Sequence, residues 1–329
     1  MTASLKTPLA AQLATLTLTV LLMTPAYAAK PEKAVQYQHE SALVIAVIDT
    51  GADVNHKDLK EFIWTNPGET GLDKFGKQKD SNGIDDDKNG FVDDVHGWNF
   101  VENNNNVIDE NGHGTHIAGI IKNEFQRHIP VPAAEARLMI LKYYSPNIDP
   151  NENAKNTVRA IEYATKMNVK IINYSAGGEE FFAQEFEAIK KAQEQNILFI
   201  AAAGNNRKNT NLAKYYPANY GLKNIISVAA TDKNGNLGAF SNYGNKSVDL
   251  AAPGTAVYST LPNNRHGFMS GTSQATAYVT GVAASILIQE STPKKTQNIL
   301  SDLVSLGKVS NGLKGKTRFQ VAIGEDSAL

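Results

Sequence analysis

No cysteine occurs anywhere in the 329 residues. Disulfides, zinc–thiolate sites and thiol nucleophiles are thereby excluded. A chain of this length can bury enough surface to fold without covalent staples. An excess of either charge is also missing: 32 Lys and Arg stand against 33 Asp and Glu, a net charge of -1. That leaves no electrostatic case for nucleic acid or for an anionic membrane surface as partner. There is no internal repeat, no linker and no second hydrophobic unit. A composition 42% hydrophobic and 20% charged then reads as one large globular domain.

Long apolar runs are scarce too. The candidate at the N-terminus, residues 9–23, is diluted by Gln12 and several threonines and is shorter than the roughly 20 residues a membrane span needs. With Lys6 before it and Pro25-Ala26-Tyr27-Ala28 after it, the stretch reads as a secretory signal peptide, residues 1–28, cleaved after Ala28. The mature chain, residues 29–329, is expected to be secreted or periplasmic, with no stable membrane anchor. The sequence carries no signature of an oligomeric state.

Residues 43–48, Leu-Val-Ile-Ala-Val-Ile, form an unalternating apolar run of strand length that ends at Asp49-Thr50-Gly51. Such strands are buried on both faces, as in a parallel sheet. Similar runs lie at residues 138–141, 169–172, 197–203 and 225–230, with helical spacing between several of them. The alternation predicts an α/β fold of three layers, a mostly parallel central sheet with helices on both faces. A final helix is expected after Ser291, Thr292 and Pro293, stopping at Gly307. Residues 66–111 form a loop long enough to need a function or a bound ion to order it.

The stretch from residue 268 to 290 passes from Ser270-Gly271-Thr272-Ser273 into a run with one apolar helical face. Ser273 therefore sits beside a helix N-terminus, where free N–H groups hold a developing anion. It is either a nucleophile or an ordinary helix cap. Asp49, at the end of a predicted strand, is an acid where α/β folds place their sites, or a loop cap. His113, flanked by Gly112 and Gly114 at another helix start, suits a general base. His113 and His116 do not match the spacing of a helical zinc motif, and its glutamate is missing. The order Asp, His, Ser and the absence of a G-x-S-x-G elbow both differ from the α/β-hydrolases.

Asp85, Asp87, Asn89 and Asp93 stand at positions 1, 3, 5 and 9 of a calcium-loop pattern with Gly90 at 6, but His96 occupies position 12. A complete EF-hand is excluded by that histidine. A truncated calcium loop remains the expectation, because five crowded carboxylates would repel one another without a cation.

Asp49-Thr50-Gly51, the His113-Gly114-Thr115-His116 segment and Gly271-Thr272-Ser273-Gln274-Ala275 together resemble the three signature motifs of the subtilisin-like serine proteases, or subtilases. Asn173-Tyr174-Ser175-Ala176-Gly177-Gly178 resembles the family's substrate-binding strand, and Ala201-Ala202-Ala203-Gly204-Asn205 its oxyanion motif. The resemblance implies that Ser273 attacks the scissile carbonyl, His113 moves the proton and Asp49 orients the ring. Asn205 would donate to the oxyanion, beside the N–H of Ser273. Ser175, Ala176, Gly177 and Gly178 would pair with a peptide as an added strand, their glycines leaving room for a side chain. Glu179 and Glu180 follow, a solvated loop face or a preference for basic residues.

Two features depart from the family. Ala277 stands where a proline is common, and only about 20 residues separate Ala28 from Asp49, which is too few for an inhibitory pro-domain. The leading expectation is an exported serine endopeptidase acting on proteins or peptides through an acyl-enzyme. The alternative is a catalytically silent, exported, calcium-stabilised binding protein on the same fold. An esterase shares the chemistry but would want the missing elbow.

Overall fold

The computed structural model describes residues 42–129, 136–289 and 296–324. The signal-peptide reading and the cap at Ser291, Thr292 and Pro293 lie outside the described residues.

The strands are β1 (Leu43–Asp49), β2 (Gly97–Asn99), β3 (Ala136–Lys142), β4 (Ile171–Tyr174), β5 (Leu198–Ala202), β6 (Ile225–Thr231), β7 (Leu250–Pro253), β8 (Val257–Leu261), β9 (Arg265–Met269), β10 (Lys308–Val309) and β11 (Val321–Ala322). The helices are α1 (His113–Arg127), α2 (Pro150–Lys166), α3 (Ala183–Glu194), α4 (Thr272–Gln289) and α5 (Thr296–Leu306). One sheet runs in the order β10-β11-β7-β6-β5-β4-β1-β3-β2. All its ladders are parallel except β10–β11. The strands β8 and β9 form a separate antiparallel hairpin.

The apolar run of β1 is unalternating because the sheet is covered twice. Ile45 and Val47 belong to the core that holds residues of α1, α4 and α5. Ala46 and Ile48 belong to the opposite core, with residues of α2 and α3. Side chains alternate along a strand, so Asp49, two residues after Val47, faces the α1 side. The same count puts Asn173 and Ser175 on the side of Ile171, facing α4.

The spacing in α4 suggests one buried face, yet all its residues from Thr272 to Ile286 are buried. The helix runs between α1 and the sheet, and Ala275, Ala277, Gly281, Ala283 and Ala284 are small enough for neighbours to close on every side. α2 starts as its sequence suggests, with Asp149 capping Asn151 N–H at 2.7 Å and Pro150 in the first turn.

Candidate active site

Adjacent strand ends bring Asp49 and Ser175 together. β1 pairs with β4 in parallel up to Ile48 and Tyr174, so Asp49 and Ser175 stand side by side one step beyond the ladder. The Asp49 Oδ1 accepts from His113 Nδ1 at 2.7 Å and from Thr50 N–H at 2.8 Å. That bond leaves His113 Nε2 without a hydrogen-bond partner among the described residues, as a general base requires. Asp49 is 4% exposed and the imidazole 29%, so the acid is sealed behind a ring that solvent can reach.

Asp109, absent from the sequence-based candidates, builds the start of α1. Its Oδ1 accepts from Gly112 N–H at 2.8 Å and from Thr50 Oγ1 at 2.9 Å. Its Oδ2 accepts from Thr115 N–H at 2.9 Å and Thr115 Oγ1 at 2.6 Å. Thr50 in turn accepts from Gly114 N–H at 3.0 Å. An acid shortly before Asn-Gly-His is the available signal, since Asp is a preferred cap before an apolar helix. Burial opposes the charged form of His113, but the charge and hydrogen bond of Asp49, with Asp109 behind, outweigh it and raise its pKa.

His116 is packed. Its Nε2 lies 3.1 Å from the Val257 carbonyl and 3.2 Å from that of Gly267, and burial lowers its pKa. The neutral ring therefore donates to both carbonyls and ties α1 to the hairpin.

Ser273 is the second residue of α4 and 8% exposed. Its hydroxyl donates to the Ser175 carbonyl at 2.7 Å, not to the imidazole. Ser175 Oγ donates back to the Ser273 carbonyl at 3.1 Å. Beneath them Asn173 Nδ2 donates to Ser175 Oγ at 3.0 Å, and Thr280 Oγ1 donates to Asn173 Oδ1 at 2.9 Å. This buried polar chain fixes α4 to the end of β4.

Asn205 follows β5. Its Oδ1 accepts from Thr272 N–H at 2.9 Å and Thr272 Oγ1 at 3.0 Å. Two donors on one oxygen determine which way the amide faces and turn Nδ2 outward over Gly271. A Cβ at Gly271 would sit 3.5 Å from that nitrogen.

Ser175 is buried, while Gly177 and Gly178 are exposed. Gly178 exchanges both backbone bonds with Tyr216, at 2.9 and 2.7 Å. Gly177 has no backbone partner among the described residues. Glu179 forms an ion pair with Lys208 at the surface.

The acidic loop divides. Asp85 accepts from the N–H groups of Asn89 and Gly90, at 3.0 and 2.8 Å, and Asp93 accepts from that of Gly83. Asp87 instead clusters with Glu69 and Asp94, with ligand-capable oxygens all within 4.8 Å of one another. Asn89 Nδ2 donates to Asp87 and to Asp94. Glu69 and Asp94 are 0% exposed, and Glu69 Oε2 has no hydrogen-bond partner among the described residues. Desolvation raises the pKa of both, with Asp87 adding repulsion in each case. Glu69 lies outside the run of carboxylates, so no spacing rule pointed to it.

The parallel sheet with a carboxylate–imidazole pair and a helix-borne serine at its carboxyl edge defines a class. The model of the subtilase family matches residues 40–309, and the chain belongs to that family of serine-type endopeptidases. It is 34% identical over 254 residues to the cell wall-associated protease of Bacillus subtilis (strain 168), a match covering 77% of this chain and 24% of that protein. It is 33% identical over 249 residues to thermitase of Thermoactinomyces vulgaris, covering 76% of each. Among solved structures it is similar to a cold adapted subtilisin-like serine proteinase, with a TM-score of 0.61 and 25% identity over 86% of this chain and 88% of that one. The chain thus spans about a quarter of one curated relative and three quarters of another. The three-layer α/β architecture expected from the strand pattern is borne out.

Proposed function

We propose that this chain is an exported serine endopeptidase that hydrolyses peptide bonds through an acyl-enzyme on Ser273. The observation that carries the reading is the 2.7 Å bond between His113 Nδ1 and Asp49, beside the Ser175–Ser273 pair. Ser273 Oγ leaves the Ser175 carbonyl by a rotation about χ1 and attacks the scissile carbonyl carbon. His113 Nε2 takes the hydroxyl proton and later delivers it to the leaving amine. Asp49 holds the tautomer and stabilises the imidazolium. The Nδ2 of Asn205, unpartnered among the described residues, and the N–H of Ser273, in the first turn of α4, meet the oxyanion, each donor contributing about 3 kcal/mol.

Substrate adds as an extended strand along Ser175, Ala176, Gly177 and Gly178. In an extended segment alternate residues present backbone groups to the same edge, which makes the Ser175 carbonyl and the free groups of Gly177 the docking points. Peptides and proteins are the substrates, and among the described residues no helix is long and apolar enough to cross a membrane. Residues 1–28 direct the chain to a secreted or periplasmic location.

The acidic loop suits calcium, a hard cation that takes carboxylate and amide oxygens. The partnerless Glu69 Oε2 and the repelling carboxylates around it fit such an ion. Glu69, Asp87 and Asp94 would hold it, with Asp85, Asn89 and Asp93 shaping the loop. Bound there, the ion would neutralise the crowded charge and so order the loop.

Labelling with a fluorophosphonate tests the reading. The wild-type chain should be modified at Ser273 and hydrolyse casein in preference to a short-chain ester, and Ser273→Ala should do neither. An unlabelled serine with casein left intact at neutral and alkaline pH would establish the silent binding protein instead.

A further inference from the structure

The space that Gly177 and Gly204 leave open is filled by another side chain. Gly177 lies on the segment after β4 and Gly204 on the turn after β5. The ring of Tyr215 stands between them. A Cβ at Gly177 would come within 2.6 Å of Tyr215 Cε1, and a Cβ at Gly204 within 2.9 Å of its Cε2 and Cζ. Opposite edges of one phenol thus lie against two backbones; an added methyl would also meet the Tyr216 carbonyl, 2.3 Å away at Gly177, and Asn242 Nδ2, 2.4 Å away at Gly204.

The wedge is held from several directions. Tyr215 N–H donates to Asn219 Oδ1 at 2.9 Å, and Asn219 N–H returns to the Tyr215 carbonyl at 3.0 Å. The next residue, Tyr216, is bridged to Gly178 by two backbone bonds. Lys208, three residues after Asn205, and Glu179, directly after Gly178, form an ion pair that joins the same two segments at the surface. Burial, with Glu179 adding to it, pushes the Tyr215 phenol up to about 12, so the ring stays neutral at any working pH.

A peptide lying along Ser175 and Gly177, with its scissile carbonyl at Asn205 Nδ2, sends one particular side chain between these segments. That side chain belongs to the residue that carries the scissile carbonyl. Gly204 adjoins Asn205 on one wall and Gly177 is the docking residue on the other, so the side chain enters over the Tyr215 ring. We infer that Tyr215 is the floor of this acyl-side pocket and restricts it to small side chains, those of glycine, alanine and serine. The inference rests on the endopeptidase reading and adds a specificity determinant to it. Steric exclusion by a fixed ring acts on the transition state as on the bound substrate, so it appears in kcat/KM.

Peptide anilides that differ only in the residue before the scissile bond (Ala, Leu or Phe) test it, with wild type, Tyr215→Phe and Tyr215→Ala. Wild type and Tyr215→Phe, which keeps the ring, should favour Ala over Phe by on the order of 100-fold in kcat/KM. Tyr215→Ala should raise the rate on the Leu and Phe peptides and erase or reverse that ratio. A wild-type preference for Phe or Leu overturns the inference, whether or not the alanine variant folds. So does a Tyr215→Ala protein that labels with fluorophosphonate yet keeps the preference for Ala. A wild type that fails to label counts against the endopeptidase reading itself, which separates the two outcomes.

Discussion

Gly281 of α4 lies against the Ile121 carbonyl of α1, where a Cβ would come within 2.6 Å of that oxygen. Each residue stands eight positions after a proposed catalytic group, Ser273 in one helix and His113 in the other. Eight residues of helix rise about 12 Å, so this contact keeps the two helix starts level. Gly281→Ala should force the helices apart, costing about 1–3 kcal/mol as overpacking does. Thermal unfolding would report that loss, and casein hydrolysis should fall further than stability explains. Full activity at a lowered melting temperature would show that the register is set elsewhere.

The pH profile follows from His113. Its pKa is raised above 6.5, and a general base must be neutral, so kcat/KM should climb with pH through a value above 6.5. Asp49→Asn removes the raising charge and should move that limb downward, with kcat lower by on the order of 10⁴-fold. Linkage runs the other way. A raised folded pKa contributes stability below the unfolded value and loses it as pH rises through the folded one. Activity is therefore gained, and the pair's contribution to stability lost, over the same window.

Asn205 directs Nδ2 outward because its oxygen is held by Thr272. Asn205→Leu should lower kcat by on the order of 10²- to 10³-fold with KM little changed. A matching rise in KM would indicate a role in ground-state binding instead.

Around Glu69, Asp87 and Asp94 the prediction concerns an ion. A calcium chelator should lower the melting temperature, and Glu69→Gln should blunt that response. A melting temperature unmoved by chelation would remove the calcium assignment.

Glu185 on α3 is 8% exposed and bonded to Tyr220 at 2.7 Å. Burial raises its pKa from 4.5 to about 7, against the lowering effect of Tyr220. Its contribution to stability is full below 4.5 and is lost as pH rises through about 7. At pH 8 that amounts to about 3 kcal/mol. Glu185→Gln should raise the melting temperature at alkaline pH and leave it nearly unchanged at acid pH.

Much of this arrangement was legible in advance. The strands at residues 43–48 and 225–230 were readable because an element buried on both faces needs no partner to declare its period. Short elements were not. β2, β10 and β11 span two or three residues, and the β8–β9 hairpin carries exposed Tyr258 and Phe268 where an alternating pattern would place polar groups. Glu69 and Asp109 escaped for a related reason: what each acid contacts lies on segments whose proximity folding creates.

The amino-acid order by itself determined the α/β class and put Asp49, His113 and Ser273 at a strand end and two helix starts, because those features are local and turn chemistry marks them; Asn205 was singled out only by the resemblance to the subtilases. Only the tertiary structure decided what fills the spaces between those elements. A glycine reads in sequence as room, yet room belongs to whichever side chain packs there first, and between Gly177 and Gly204 that side chain is Tyr215. Contacts between segments far apart in the chain leave no periodic trace, since packing depends on distance in space and not on spacing in sequence.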